Sequence, residues 1–250
     1  MTDPFLEAEG SLPGYCYVCD EGVLFEVDRP SDGSAVNWRE TLKCPKCGMI
    51  NRWRGCLHLF EDICRPSKNS RVYITEALSP VFDKLRSRLS HLTSSEFLSD
   101  SKPGELVHIH GRSIRNEDVT KLSFDRESFD TILSFDVLEH VPDYRVALEE
   151  FHRVLDHNGY LILSAPFSFQ QETNIRATKN EAGEVEHLME PCYHGDPLSN
   201  EGVLAYYDFG MELLDELKEV GFGESYLVCF NSNAWGYPGP NVTFVAQKLK

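Results

Sequence analysis

Residues 122–166 read LSFDRESFDTILSFDVLEHVPDYRVALEEFHRVLDHNGYLILSAP, and the fold class follows from how that stretch divides. Phe129 to Phe135 is rich in the β-branched and aromatic residues that suit a strand. A loop follows, and then a helix from about Pro142 to Leu155. Asn158-Gly159 marks a turn. Beyond it Tyr160 to Ser164 is nearly all apolar, as a strand covered on both faces should be. Strand, helix and buried strand in succession form the repeating unit of a parallel sheet with crossover helices.

Outward from this stretch the alternation continues. Upstream, Leu57, Phe60, Ile63 and Cys64 fall at helical spacing within Trp53 to Cys64, and Pro66 ends the run. Arg71 to Thr75 reads as a short strand. Pro80 opens a helix whose apolar face holds Val81, Phe82, Leu85 and Leu89. Leu92 to Leu98 is a weaker strand, and Leu106 to Ile109 and Ile114 are ambiguous. Downstream, a helix from about Gly210 to Val220 closes at Gly221, and Tyr226–Phe230 with Val242–Gln247 read as a terminal strand pair. The expectation is an α/β domain with a mainly parallel sheet and helices on both faces.

Composition bounds the rest. The 250 residues are 41% hydrophobic and 26% charged, enough to bury a core. No apolar run nears the length of a membrane helix, and the first residues, MTDPFLEAEG, carry acids where a secretory leader carries basic residues. The expectation is a soluble, cytoplasmic protein with no membrane partner. A net charge of -16 repels polyanions, which argues against nucleic acid as a partner. The segment Trp38 to Arg54, with five basic residues against Glu40, is the one basic foothold.

A separate chemistry occupies the N-terminal part. Cys16-x-x-Cys19 and Cys44-x-x-Cys47 are separated by 24 residues. Two intervening residues let both thiolates of a pair face one ion, and two such pairs complete a closed tetrahedral Cys₄ site. Pro45 and Gly48 supply turn chemistry, and Glu21 to Val27 suits a strand between the pairs. This predicts a zinc ribbon over residues 1–50, structural because a closed site has no position for water, and a possible docking surface for a protein partner. Cys56, Cys64, Cys192 and Cys229 lie scattered and read as ordinary thiols.

The quoted stretch also resembles a known family. Leu122-Ser123-Phe124 with Ser128-Phe129-Asp130, then Leu138-Glu139-His140, then Arg153-Val154-Leu155 with Asn158-Gly159 are similar, in order and spacing, to phrases of class I S-adenosylmethionine-dependent methyltransferases of the type 11 kind. The resemblance is close over 114–166 and, as a fold, takes in the main domain, 51–250. It implies a Rossmann-like, seven-stranded, mainly parallel sheet whose last strand is antiparallel, with the cofactor across the carboxyl ends of the strands. It implies Glu96 as the ribose acid, Asp118 as the adenine acid, and Phe135 and Asp136 beside the methyl group. His140 would face the acceptor. Residues between the fifth strand and the next helix would cover it, among them His187, Tyr193, His194, Asp196, Tyr206 and Tyr207. His140, His187 and His194 are chemically suited to act as base toward a hydroxyl.

The chain departs from the family pattern in one place. The first strand normally enters a glycine-rich turn; here the run is Thr75-Glu76-Ala77-Leu78-Ser79-Pro80, with no glycine between Gly55 and Gly104. Two readings stand. In one, the turn is rebuilt, Glu76 reaches the cofactor, and the protein methylates a small molecule or glycan at oxygen. In the other, the cofactor is lost, and ribbon and domain serve as a non-catalytic scaffold.

Overall fold

The structure, a computed structural model, describes residues 11–30, 35–109, 111–195, 198 and 201–250. The chain divides into two compact units. One comprises residues 1–66 and 228–242; the other comprises 67–227 and 243–250. Among the described residues no helix is long and apolar enough to cross a membrane.

The first unit is built on a small antiparallel sheet of β1 (Ser11–Cys16), β2 (Glu21–Val27) and β3 (Leu42–Lys43). A single helical turn, α1 (Trp38–Thr41), precedes β3, and α2 (Asn51–Cys64) follows it. Arg65 closes α2 in the left-handed conformation just before Pro66. Arg54 of α2 is fully buried. Its guanidinium lies 4.0 Å from the centroid of the Phe25 ring and donates to the carbonyls of Trp235 at 3.3 Å and Gly236 at 2.8 Å. The two carbonyl acceptors and the aromatic face offset part of the desolvation cost of that charge.

The second unit is an open twisted sheet. Its strands are β4 (Arg71–Ile74), β5 (His91–Ser94), β8 (Phe129–Phe135) and β9 (Leu155–Ser164), and the sheet continues into β16 (Glu224–Ser232) and β17 (Tyr237–Gln247), whose residues 228–232 and 237–242 are counted in the first unit. The spatial order is β16-β17-β9-β8-β4-β5. β5, β4, β8 and β9 run parallel, and β17 is antiparallel to β9. Helices α3 (Pro80–Arg86), α4 (Tyr144–Val154) and α5 (Leu213–Val220) accompany it. In α4 the buried residues are Tyr144, Ala147, Leu148, Phe151 and Val154, the three-and-four spacing of one covered face. They pack with Leu213 and Leu217 of α5, Leu161 and Leu163 of β9, and Phe244 of β17. Gly159 is required where β9 turns: a Cβ there would stand 2.8 and 2.9 Å from the carbonyl oxygens of Asp156 and Asp130.

The sheet has six strands, one fewer than the resemblance implies. Where a third family strand would lie, β6 (Leu106–Ile109) and β7 (Arg112–Arg115) pair with each other as an antiparallel hairpin. Their facing backbone groups pair within the hairpin, and among the described residues one parallel bridge, Glu96 to Asn116, joins the segments that follow β5 and β7. Between β9 and α5 lie three short ladders: β10 (Asn174–Ile175) with β15 (Tyr207–Asp208), β11 (Ala177–Lys179) with β12 (Val185–His187), and β13 (Tyr193–His194) with β14 (Val203–Leu204).

Candidate active site and metal centre

Parallel strands deliver their carboxyl ends to one edge, the place where open α/β sheets bind ligands. Here β4 leads to Glu76, β5 to Glu96 and β8 to Asp136. Glu96 explains how the glycine-free turn is held. Its Oε1 accepts the backbone N–H groups of Ala77 at 2.7 Å and Leu78 at 3.0 Å. Arg112 adds to the turn from the β6–β7 hairpin, donating to the Ala77 carbonyl at 3.5 Å and to Asp83 at 3.1 Å. Ser79 caps α3 by accepting the Phe82 N–H. Leu78 and Phe82 are half-buried, and neither belongs to the packed core.

Asp118 and Asp136 differ in their attachments. Asp118 Oδ1 accepts the N–H and hydroxyl of Thr120 at 2.9 and 2.7 Å, a local turn. The deeply buried acid nearby is Glu117, which takes Arg115 Nε at 2.6 Å and the Ser123 N–H at 2.9 Å. Phe135 is buried at the end of β8. Asp136 follows it with φ 55°, a left-handed backbone that costs roughly 1–3 kcal/mol for a non-glycine residue. The cost is met by Ser164, whose carbonyl accepts the Asp136 N–H and whose hydroxyl donates to Oδ1, both at 2.8 Å. Strand ends β8 and β9 are tied together there.

Immediately beyond Asp136, a 3₁₀ turn spans Leu138–His140. Leu138 anchors it in the core, and Glu139 is carried inside with it, fully buried. His140 Nδ1 lies 2.8 Å from the Leu204 carbonyl, which can only accept. That contact places the proton on Nδ1 and leaves the Nε2 lone pair available. Nε2 stands 3.7 Å from Glu139 Oε1, and His194 Nδ1, brought in by β13, stands 3.4 Å from the same oxygen. The two rings meet edge to face, 4.8 Å apart. Burial pushes the Glu139 carboxyl up to about 7, the Asp136 charge adds to the rise, and His194 opposes it.

Of the predicted histidines, the structure brings His140 and His194 together. His187 is exposed on β12 opposite Ala177, in a different ladder. Tyr193 is exposed, Tyr206 buried, and Tyr207 donates its hydroxyl to the Pro142 carbonyl at 2.5 Å. Asp196 lies outside the described residues. Glu139 is the residue that sequence reasoning passed over, as one letter of a family phrase. Its signal was an acid set among Val137, Leu138 and Val141, where only a functional or paired carboxylate is tolerated.

The four cysteines of the first unit converge as their spacing predicts. Cys16 Sγ lies 3.9 Å from Cys47 Sγ, Cys19 Sγ lies 3.8 Å from Cys44 Sγ, and all four sulfurs fall within 4.8 Å of one another. A tetrahedral ion with metal–sulfur bonds of ~2.3 Å needs sulfur–sulfur edges of about 3.8 Å. The two knuckles share a construction. The residue after the second cysteine is left-handed in both, Asp20 at φ 56° and Gly48 at φ 72°, and the Cys16 and Cys44 carbonyls accept the Asp20 and Gly48 N–H groups at 2.9 Å. A hydrogen bond from Cys47 draws the Cys16 thiol down to about 5, while burial and then the Cys16 charge push Cys19 up to about 12. Four thiolates at this distance require a cation, and the donor set suits zinc.

Strands, acid-lined edge and following loop together define an open α/β sheet with acids along the carboxyl ends of its strands, the place where sheets of this kind bind ligands. Residues 93–163 match the family described as methyltransferase domain. An S-adenosylmethionine-dependent methyltransferase from Mesorhizobium loti is similar in structure, with a TM-score of 0.51 at 14% identity over 80% of this chain and 99% of that one. A putative S-adenosylmethionine-dependent methyltransferase from Listeria monocytogenes gives 0.50 at 10% identity, with the same coverage. No curated protein matches the sequence. The chain has the fold of class I S-adenosylmethionine-dependent methyltransferases.

Proposed function

We propose that the protein transfers the methyl group of S-adenosylmethionine to a hydroxyl oxygen of a small molecule or glycan. The observation that carries this reading is the Glu139–His140–His194 cluster in the loop after Asp136. It follows directly on the acid-lined edge of a methyltransferase fold. S-adenosylmethionine supplies an electrophilic methyl group on a sulfonium centre. Around it, Glu96 suits the ribose hydroxyls, Asp118 the adenine amino group, and Glu76 and Asp136 the positive charge, because carboxylates accept paired hydrogen bonds and offset cations. The cluster serves the acceptor oxygen, whose nucleophilicity rises as its proton is drawn away. Positioning supplies the rest of the rate. The Cys₄ ribbon holds a structural zinc and takes no part in the chemistry.

Equilibrium titration of the full-length protein with S-adenosylmethionine and S-adenosylhomocysteine tests the reading. Saturable binding of both is expected, followed by transfer of a labelled methyl group to a hydroxylated acceptor. No saturable binding at millimolar ligand would overturn it and leave the non-catalytic scaffold.

A further inference from the structure

We propose that Glu139, His140 and His194 hold a divalent transition-metal ion, separate from the Cys₄ centre, whose open positions take the oxygen of the acceptor. The acceptor clause rests on the methyltransferase reading; the ion itself does not. One carboxylate oxygen and two imidazole nitrogens form the donor set of Mn²⁺, Fe²⁺, Co²⁺ or Zn²⁺ sites. The three ligand atoms lie within 4.8 Å of one another. With bonds of ~2.1 Å, neighbouring ligands of a tetrahedral ion stand about 3.4 Å apart, and the imidazole-to-carboxylate separations are 3.4 and 3.7 Å.

Two further observations point to a ligand. Glu139 is completely buried, and among the described residues neither of its oxygens has a hydrogen-bond partner. A carboxylate in that condition calls for a cation. In addition, the Leu204 carbonyl engages His140 Nδ1 at 2.8 Å. An outer hydrogen bond of this kind fixes the tautomer and ring orientation of a metal-ligating histidine. Three protein ligands from one turn and one short ladder leave coordination positions open, the mark of a catalytic rather than a structural site. The fitting acceptor offers oxygen ligands of its own, as the vicinal hydroxyls of a sugar do, and an ion-bound hydroxyl ionises more readily.

The test uses full-length protein dialysed against a weak chelator until one zinc per chain remains. Titration with Mn²⁺, followed by loss of the free-ion paramagnetic signal, should then show one further site per chain. Co²⁺ should give a visible spectrum without sulfur-to-metal charge transfer. Glu139→Gln and His194→Ala should each weaken Mn²⁺ binding at least tenfold, and His187→Ala should not change it. His194 is partly exposed, so its variant keeps the test available if Glu139→Gln fails to fold. Absence of any Mn²⁺, Co²⁺ or Zn²⁺ binding beyond the first zinc would overturn the proposal. S-adenosylmethionine titrated into the same samples separates the two ideas. Mn²⁺ binding without cofactor binding would keep the ion and remove the methyltransferase. Methylation indifferent to chelation would keep the methyltransferase and remove the ion's role.

Discussion

The Cys₄ centre and the Glu139–His140–His194 cluster are both sets of metal-type ligands, yet they are assembled in opposite ways. In the ribbon each pair of ligands comes from one tight turn, two residues apart, and the turns are near copies, down to the left-handed residue that follows each pair. In the cluster, Glu139 and His140 are adjacent, but His194 arrives from 54 residues further along the chain on a two-residue strand. The first arrangement offers four soft sulfur donors in the closed tetrahedral pattern of a structural site. The second uses harder oxygen and nitrogen donors and leaves room. The contrast shows why one centre announces itself in the sequence and the other does not. Local spacing encodes a closed site, whereas an open site depends on how distant segments are packed.

The comparison is broken most forcefully at the cysteines. Cys44→Ser should abolish zinc binding and with it the order of the ribbon, since zinc-binding free energy there is folding free energy, on the order of 10 kcal/mol. Metal analysis should fall from about one zinc per chain to near zero. Retention of wild-type near-ultraviolet dichroism, with the remaining thiols freely titrating, would show that the metal is not what holds the unit. The next effect asks whether zinc alone carries that unit. Arg54→Ala removes a buried guanidinium and leaves the Trp235 and Gly236 carbonyls without their donor. The expected loss is about 3–5 kcal/mol in denaturant unfolding, from a cavity and unmet acceptors together. A loss below 1 kcal/mol would mean that zinc suffices.

On the other side of the comparison, Glu96→Ala should weaken S-adenosylmethionine binding by ~1–3 kcal/mol, the cost of a charge-assisted hydrogen bond in a cleft. The variant also releases the Ala77 and Leu78 amides, so calorimetry should be paired with a thermal melt of the free protein. Unchanged affinity would confine Glu96 to holding the turn. The smallest effect is one of pH, and it has a counterpart in each unit. Burial holds His58 and His152 below the usual imidazole range. Each therefore binds fewer protons folded than unfolded. Their stability contribution is present above the ordinary imidazole pKa and is lost as pH falls through the lowered folded value. Unfolding curves below neutrality should flatten in the order wild type, single variant, His58→Gln/His152→Gln. A steeper slope in the double variant would reverse the assignment.

Much of this molecule was written in its order of residues. The two C-x-x-C pairs determine the ribbon because a two-residue spacing needs nothing beyond its own turn. The alternation around Phe129–Phe135 and Tyr160–Ser164 determines the parallel sheet because burial on both faces demands continuous apolar runs. Glu96 and Asp136 are named by the family resemblance, and Glu76 by one of the two readings of the glycine-free turn. Tertiary structure decided the remainder. It set β6 and β7 against each other instead of into the sheet, since a hairpin pairs their facing backbone groups at short range. It brought residues 228–242 into the N-terminal unit, where Arg54 reaches their carbonyls. It directed Glu96 to the amides of a turn that has no glycine. And it buried Glu139 between two histidines, a placement no local period encodes, because it depends on a contact with His194, 55 positions along the chain, and on the core position of Leu138 beside it.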